Sequence, residues 1–194
     1  EPGWQPRKLE RTAEADTKYK NPDNDYSSWA SGDAFAPGAA THQGMVYAVQ
    51  HPFTGELIYP TVNNHWRYSQ DRLLPIFSEW TEYELRDIGD AEKRAEICGI
   101  PAEEVRPGVK ALMLVKPLKE AQADAQAVYE RGRWPRFNFT KNGYGGVRRK
   151  IYRDSVGGIL PSNFWDHQAA GHTDAAKKEI RAIFDGRVAF DTPK

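Results

Sequence analysis

Cysteine is almost missing from this chain. Cys98 is the one thiol in 194 residues, which excludes a disulfide scaffold and any structural metal site built from several thiolates. No run of 18 apolar residues occurs, so the sequence offers no membrane-spanning helix. An apolar leader is lacking at the start as well, so the expected location is the cytoplasm. Net charge is also absent, because 27 basic residues balance 27 acidic ones. What the chain does have is 39% hydrophobic and 12% aromatic residues. That content is enough for a core and argues against a disordered chain. Thirteen Pro, 16 Gly and a mean hydropathy of -0.75 call for many loops. The length suits one large domain or two small ones.

The neutral total hides a strong segregation. Residues 79–130 carry 12 acidic and 7 basic side chains. Residues 131–153 carry 8 basic and no acidic ones: Arg131, Arg133, Arg136, Lys141, Arg148, Arg149, Lys150 and Arg153. Trp134, Phe137, Phe139, Tyr144 and Tyr152 are interleaved with them, as are Asn138 and Asn142. Cations suit phosphates, while amides and Arg suit base edges. The run therefore fits a nucleic-acid surface. A solvated basic face that balances the acidic segment before it fits equally well.

Turn chemistry dominates residues 20–40, with Asn21-Pro22-Asp23-Asn24-Asp25, Ser31-Gly32-Asp33 and Pro37-Gly38. Tyr26, Trp29 and Phe35 in that stretch predict an ordered loop anchored by aromatics. Met45 to Gln50 and Leu57 to Tyr59 read as strands, joined by a Pro- and Gly-containing hairpin loop. Ser69 is a plausible N-cap for a helix reaching about Trp80, with Pro75 awkward inside it. Helices are expected over about Asp90 to Cys98 and Leu118 to Glu130, and a buried strand over Ala111 to Val115. Residues 134–139 suggest a strand and Lys141 to Gly146 a glycine-rich turn. Ile151 to Val156 is ambiguous. Ala175 to Phe184 is expected to be helical behind a Thr173 cap. The expected fold is α+β: a small mixed or antiparallel sheet flanked by three to four helices, with a helical insertion at 81–130.

Common reaction centres find no support. The five His residues, at 42, 51, 65, 167 and 172, lack the spacing of a helical zinc site. Gly143-Tyr144-Gly145-Gly146 is out of context for a phosphate loop. Cys98 reads as a small buried hydrophobe. Trp29 and Trp66 read as core residues. No metal site is assigned, and no catalytic residue.

Several segments, in order, resemble adenine-specific DNA methyltransferases, the modification subunits of type III restriction–modification systems and their relatives. They are Tyr19-Lys20-Asn21-Pro22-Asp23-Asn24-Asp25, then Trp29 to Asp33 with Ala36-Pro37-Gly38, then Tyr59-Pro60 with His65-Trp66-Arg67-Tyr68-Ser69. Gly132-Arg133 through Phe139-Thr140-Lys141-Asn142-Gly143 follows, then Gly171-His172-Thr173 and Phe190 to Lys194. The likeness spans most of 17–80 and 128–194, while 81–127 departs from the family pattern. The chain has neither the Asp-Pro-Pro-Tyr catalytic motif nor the Gly-rich cofactor motif. The resemblance therefore implies the target-recognition region that lies between them, and both termini read as cut from a longer chain.

On that likeness the fragment is expected to bind double-stranded DNA and select the site. The missing catalytic domain would flip an adenine and methylate it from S-adenosylmethionine. Alone the fragment should be inactive and hold no cofactor. In the intact enzyme Asp191, Thr192 and Lys194 would lie near S-adenosylmethionine. Arg133, Arg136, Lys141, Arg148, Arg149 and Lys150 are the candidate DNA contacts, and Asn138, Asn142 and Tyr144 are candidates for base contact. Arg67 and Tyr68, with Asn63 and Asn64, form a second candidate patch. Residues 1–80 and 131–194 would make up the recognition domain. Two alternatives stay open. One is a protein-interaction module, with 81–127 docking a restriction subunit or second modification subunit. The other is an independent metal-dependent nuclease using His65 and Asp71.

Overall fold

A computed structural model describes residues 10–158 and 173–186. The fold is α+β. Thr12–Val156 form one compact unit, which holds α1 (Ala13–Asp16), α2 (Gln70–Phe77), α3 (Ala91–Cys98) and α4 (Leu118–Arg131). Its strands are β1 (Trp29–Asp33), β2 (Phe35–Pro37), β3 (Val49–Gln50), β4 (Leu57–Ile58) and β5 (Asn64–Trp66). They continue with β6 (Tyr83–Arg86), β7 (Ala111–Leu114), β8 (Phe137–Phe139) and β9 (Val147–Tyr152). Helix α5 (Thr173–Ile183) belongs to the other unit. Among the described residues no helix is long and apolar enough to cross a membrane.

Three small sheets carry the strands. β1, β9 and β8 form an antiparallel sheet, and β2 pairs antiparallel with β5. The third sheet runs β4-β3-β7-β6 and is mixed, since β3 and β7 are parallel at Val49 and Leu112. The loop between β3 and β4 makes the expected hairpin, with the Glu56 carbonyl accepting from the His51 amide.

Residues 81–130 differ from the helical insertion read in the sequence. They contribute α3, α4 and the expected strand β7, together with the unanticipated β6, and β7 pairs directly with β3. Residues 20–40 differ as well, because what read as an anchored loop contains β1 and β2. β1 exists because β9 supplies its hydrogen-bonding partner along the whole strand, from Trp29 opposite Tyr152 to Asp33 opposite Arg148. Helix α2 stops at Phe77, three residues short of the expected Trp80. Pro75 inside it has no amide to donate, so its last turn is weakened.

Trp66 is the hub of the core. It is fully buried, donates its indole N–H to the Tyr47 carbonyl at 2.8 Å, and meets the rings of Phe35, Phe77 and Phe137 edge-on. Trp80 donates likewise to the Phe137 carbonyl at 2.9 Å, which ties the end of α2 to β8. Each indole thus buries a large apolar area while its one polar atom keeps a partner. Helix α4 lays Ala121 and Ala125 against this core, one turn apart and both fully buried. A smaller cluster joins Ala39, Val46, Ile97 and Cys98. Burial pushes the Cys98 thiol up, which keeps it protonated and unreactive.

Candidate nucleic-acid interface

Strand alternation separates three cations that are adjacent in sequence. Arg148, Lys150 and Tyr152 share one face of β9, and Arg149 lies on the other. Arg148 donates to the Asp33 carboxylate at 2.5 Å and to the Ser31 hydroxyl at 3.1 Å. Lys150 is 0% exposed. Its ammonium donates to Asp23 Oδ2 and Asp25 Oδ2, each at 2.5 Å, and to the Trp134 carbonyl at 2.6 Å. Three acceptors for three donors satisfy the charge. Asp23 is held further by the Trp29 indole N–H at 2.8 Å and the Trp134 amide at 2.7 Å.

This overturns the expectation that Lys150 contacts DNA. Reaching a phosphate would require breaking three charge-assisted bonds in a buried site. Asn138 is corrected on burial alone: it is 4% exposed, inside the protein, and its Nδ2 has no partner among the described residues. Arg149 is half-buried, and its Nε likewise finds no described partner. Burial by itself raises the Asp25 carboxyl, but bonds from Lys150, the Tyr26 amide and Tyr152 outweigh it and hold the group below its ordinary value. Burial, then the bond to Asp25, pushes the Tyr152 hydroxyl up.

Arg131, Arg133, Arg136 and Lys141 remain exposed. None of the four forms an ion pair with a described residue. Arg133 follows directly on the end of α4, with φ at 51°. The guanidinium of Arg136 lies 5.7 Å from the centre of the Tyr68 ring, and that of Arg72 lies 5.2 Å from it. Of the second candidate patch, Arg67 is exposed and donates to the Asp33 carbonyl at 3.1 Å, while Tyr68 is half-buried. Asn63, at positive φ, and Asn64 are held by loop hydrogen bonds, Asn63 to the Ile97 carbonyl and Asn64 to Thr61.

Between α4 and the β8–β9 turn lies a groove of about 1140 Å3. The turn is tight, with Lys141, Asn142 and Gly143 all at positive φ. Gly143 is required there, since a Cβ would lie 2.8 Å from the Phe53 ring. Amides and aromatics make up most of the groove wall, with the charged Lys119 and Glu130 beside them. Gln122 donates to the Tyr144 hydroxyl at 3.1 Å, and Tyr129 donates to Asn142 Oδ1 at 3.3 Å. Gln126 donates to Glu130 at 2.8 Å, and Tyr129 stacks on Trp134 at 4.6 Å. Asn142 and Tyr144 from the sequence reading thus come together with Gln122 and Gln126, which it missed. The signal was available in the i,i+4 spacing of the two glutamines.

A second cleft, of about 590 Å3, is lined by His42, Ser69, Asp71 and Arg106 among others. His65 is buried, with Nδ1 2.6 Å from the Trp66 carbonyl and its ring stacked on His42. Among the described residues no three His, Cys, Asp or Glu side chains are grouped to hold a metal. Asp191, Thr192 and Lys194 lie outside the described residues. Comparison with family models, curated proteins and solved structures found no match.

Proposed function

We propose that this chain is a DNA target-recognition region of an adenine-specific methyltransferase of the type III restriction–modification kind. One observation carries the reading: four cations from a 23-residue run free of acids stay exposed and free of carboxylates among the described residues. Two of them, Arg133 and Lys141, belong to the segments bordering a groove lined mainly by amides and aromatics, with Lys119 and Glu130. Cations placed in this way engage phosphates, and the groove between them offers hydrogen-bonding groups to bases. The ordered family likeness of the sequence supports the same reading. On it, the catalytic motif and the S-adenosylmethionine site lie in other parts of the enzyme, and this region holds the duplex for base flipping. A restriction subunit or second modification subunit is the partner this reading would bring.

Duplex binding as a function of salt tests the proposal. Four phosphate contacts give a logarithmic salt slope of roughly -3.6, so affinity falls on the order of a hundredfold between about 50 and 200 mM salt. No duplex binding at about 50 mM salt would overturn the reading.

A further inference from the structure

We infer that α4 reads DNA bases through Gln122 and Gln126, so that residues 81–130 carry sequence choice. The inference rests on the proposed function and names residues that the family likeness does not reach. Ala121 and Ala125 fix the rotation of α4 by packing on the core, and this turns Gln122 and Gln126 into the groove. Each amide is held from one side, Gln122 by Tyr144 and Gln126 by Glu130. In both, the bond uses Nε2, and no described residue donates to Oε1. The second N–H of each Nε2 likewise has no described acceptor. A carboxamide presenting one acceptor and one donor side by side matches adenine, whose N6 amino group donates and whose N7 accepts.

The spacing fits as well. Four residues advance about 6 Å along a helix, close to the roughly 6.8 Å covered by two steps of a DNA strand. The two glutamines therefore address bases two steps apart. Tyr144 borders the same groove and is 54% exposed. Its ring offers a flat apolar contact beside the amides.

The test selects duplexes from a randomised pool with the full 194-residue chain, as wild type and as Gln122→Ala, Gln126→Ala and the double variant. Alanine keeps the helix propensity of α4, and thermal melting checks that the fold persists. The expected wild-type result is a preference that includes A·T pairs two steps apart. The double variant should keep its affinity for the unselected pool within about twofold. It should lose the preference at those pairs, with affinity for the selected site falling about fivefold to a hundredfold per glutamine. A wild type that binds the pool without preference, or a double variant that selects the same sequence, overturns this inference and leaves DNA binding standing. Absence of any duplex binding by the wild type overturns both.

Discussion

The Lys150 ammonium sits 2.5 Å from the Asp23 carboxylate, and neither side chain has any exposed surface. Asp25 closes the cluster from the other side at the same distance. Two carboxylates and one ammonium thus join the turn before β1 to the strand β9. Lys150→Met should remove about 3–5 kcal/mol of stability, because two acids are left in a dry site without their counter-charge. Denaturant unfolding measures this as a lower midpoint with an unchanged slope. A loss under about 1 kcal/mol would show that the cluster does not hold the sheet. Reversing Arg148, Arg149 and Lys150 together would accordingly report unfolding rather than a lost DNA contact.

Exposed cations make the opposite prediction. Replacing Arg131, Arg133, Arg136 and Lys141 with Gln should leave thermal stability nearly unchanged, since none pairs with a described carboxylate. The salt slope of duplex binding should flatten by close to 1 for each cation that contacts a phosphate. Anisotropy titrations at several salt concentrations read it directly. An unchanged slope in the quadruple variant would move the DNA contacts elsewhere.

His51 gives a pH signature. Its Nδ1 accepts from the Phe53 amide at 3.1 Å and its Nε2 lies 3.3 Å from the Gly145 carbonyl, so the neutral Nε2–H ring satisfies both. Burial, only partly offset by the Gly145 bond and the Glu56 charge, lowers the ring below its ordinary value of 6.5. The unfolded chain therefore takes up a proton first as pH falls. This costs stability from about pH 6.5 downward, until the folded ring titrates too. His51→Gln should flatten stability over that window, as measured by unfolding at pH 7.5 and 5.5.

Asp25 acts at lower pH. Its folded value lies below the ordinary 3.8, so the stability it contributes is complete above that value and is lost as pH falls through the folded one. Asp25→Asn should reduce stability at neutral pH and weaken the acid-induced loss below about pH 4.

Gly132 ends α4 at φ 79°, and a Cβ there would lie 2.6 Å from the Asp23 carbonyl oxygen. That oxygen accepts from the Arg133 amide, so the two backbones are locked together. Gly132→Ala should destabilise by more than about 1 kcal/mol. A neutral result in thermal melting would contradict the close approach.

Local signals announced local structure well. α3, α4, β7, the hairpin at 51–56 and the turn at 141–146 follow their caps, periodicity and glycines closely. β1 stayed hidden because Ser31, Gly32 and Asp33 are turn formers, and only pairing with β9 makes them extended. The candidate site was half legible for a related reason. Arg148, Arg149 and Lys150 are alike as letters, and their different fates depend on alternation and on acids that lie far away in the chain. Gln122 and Gln126 were passed over because no charge marks them, and only the rotation of α4 turns them into the groove.

The Lys150–Asp23 bond spans 127 positions of the chain. Closing so long a loop is entropically costly and is not repaid until both ends are present. During synthesis, Asp23 and Asp25 therefore wait without their counter-charge while the next hundred or so residues emerge from the ribosome. β1, whose hydrogen-bonding partner is β9, is therefore secured only once β9 is in place.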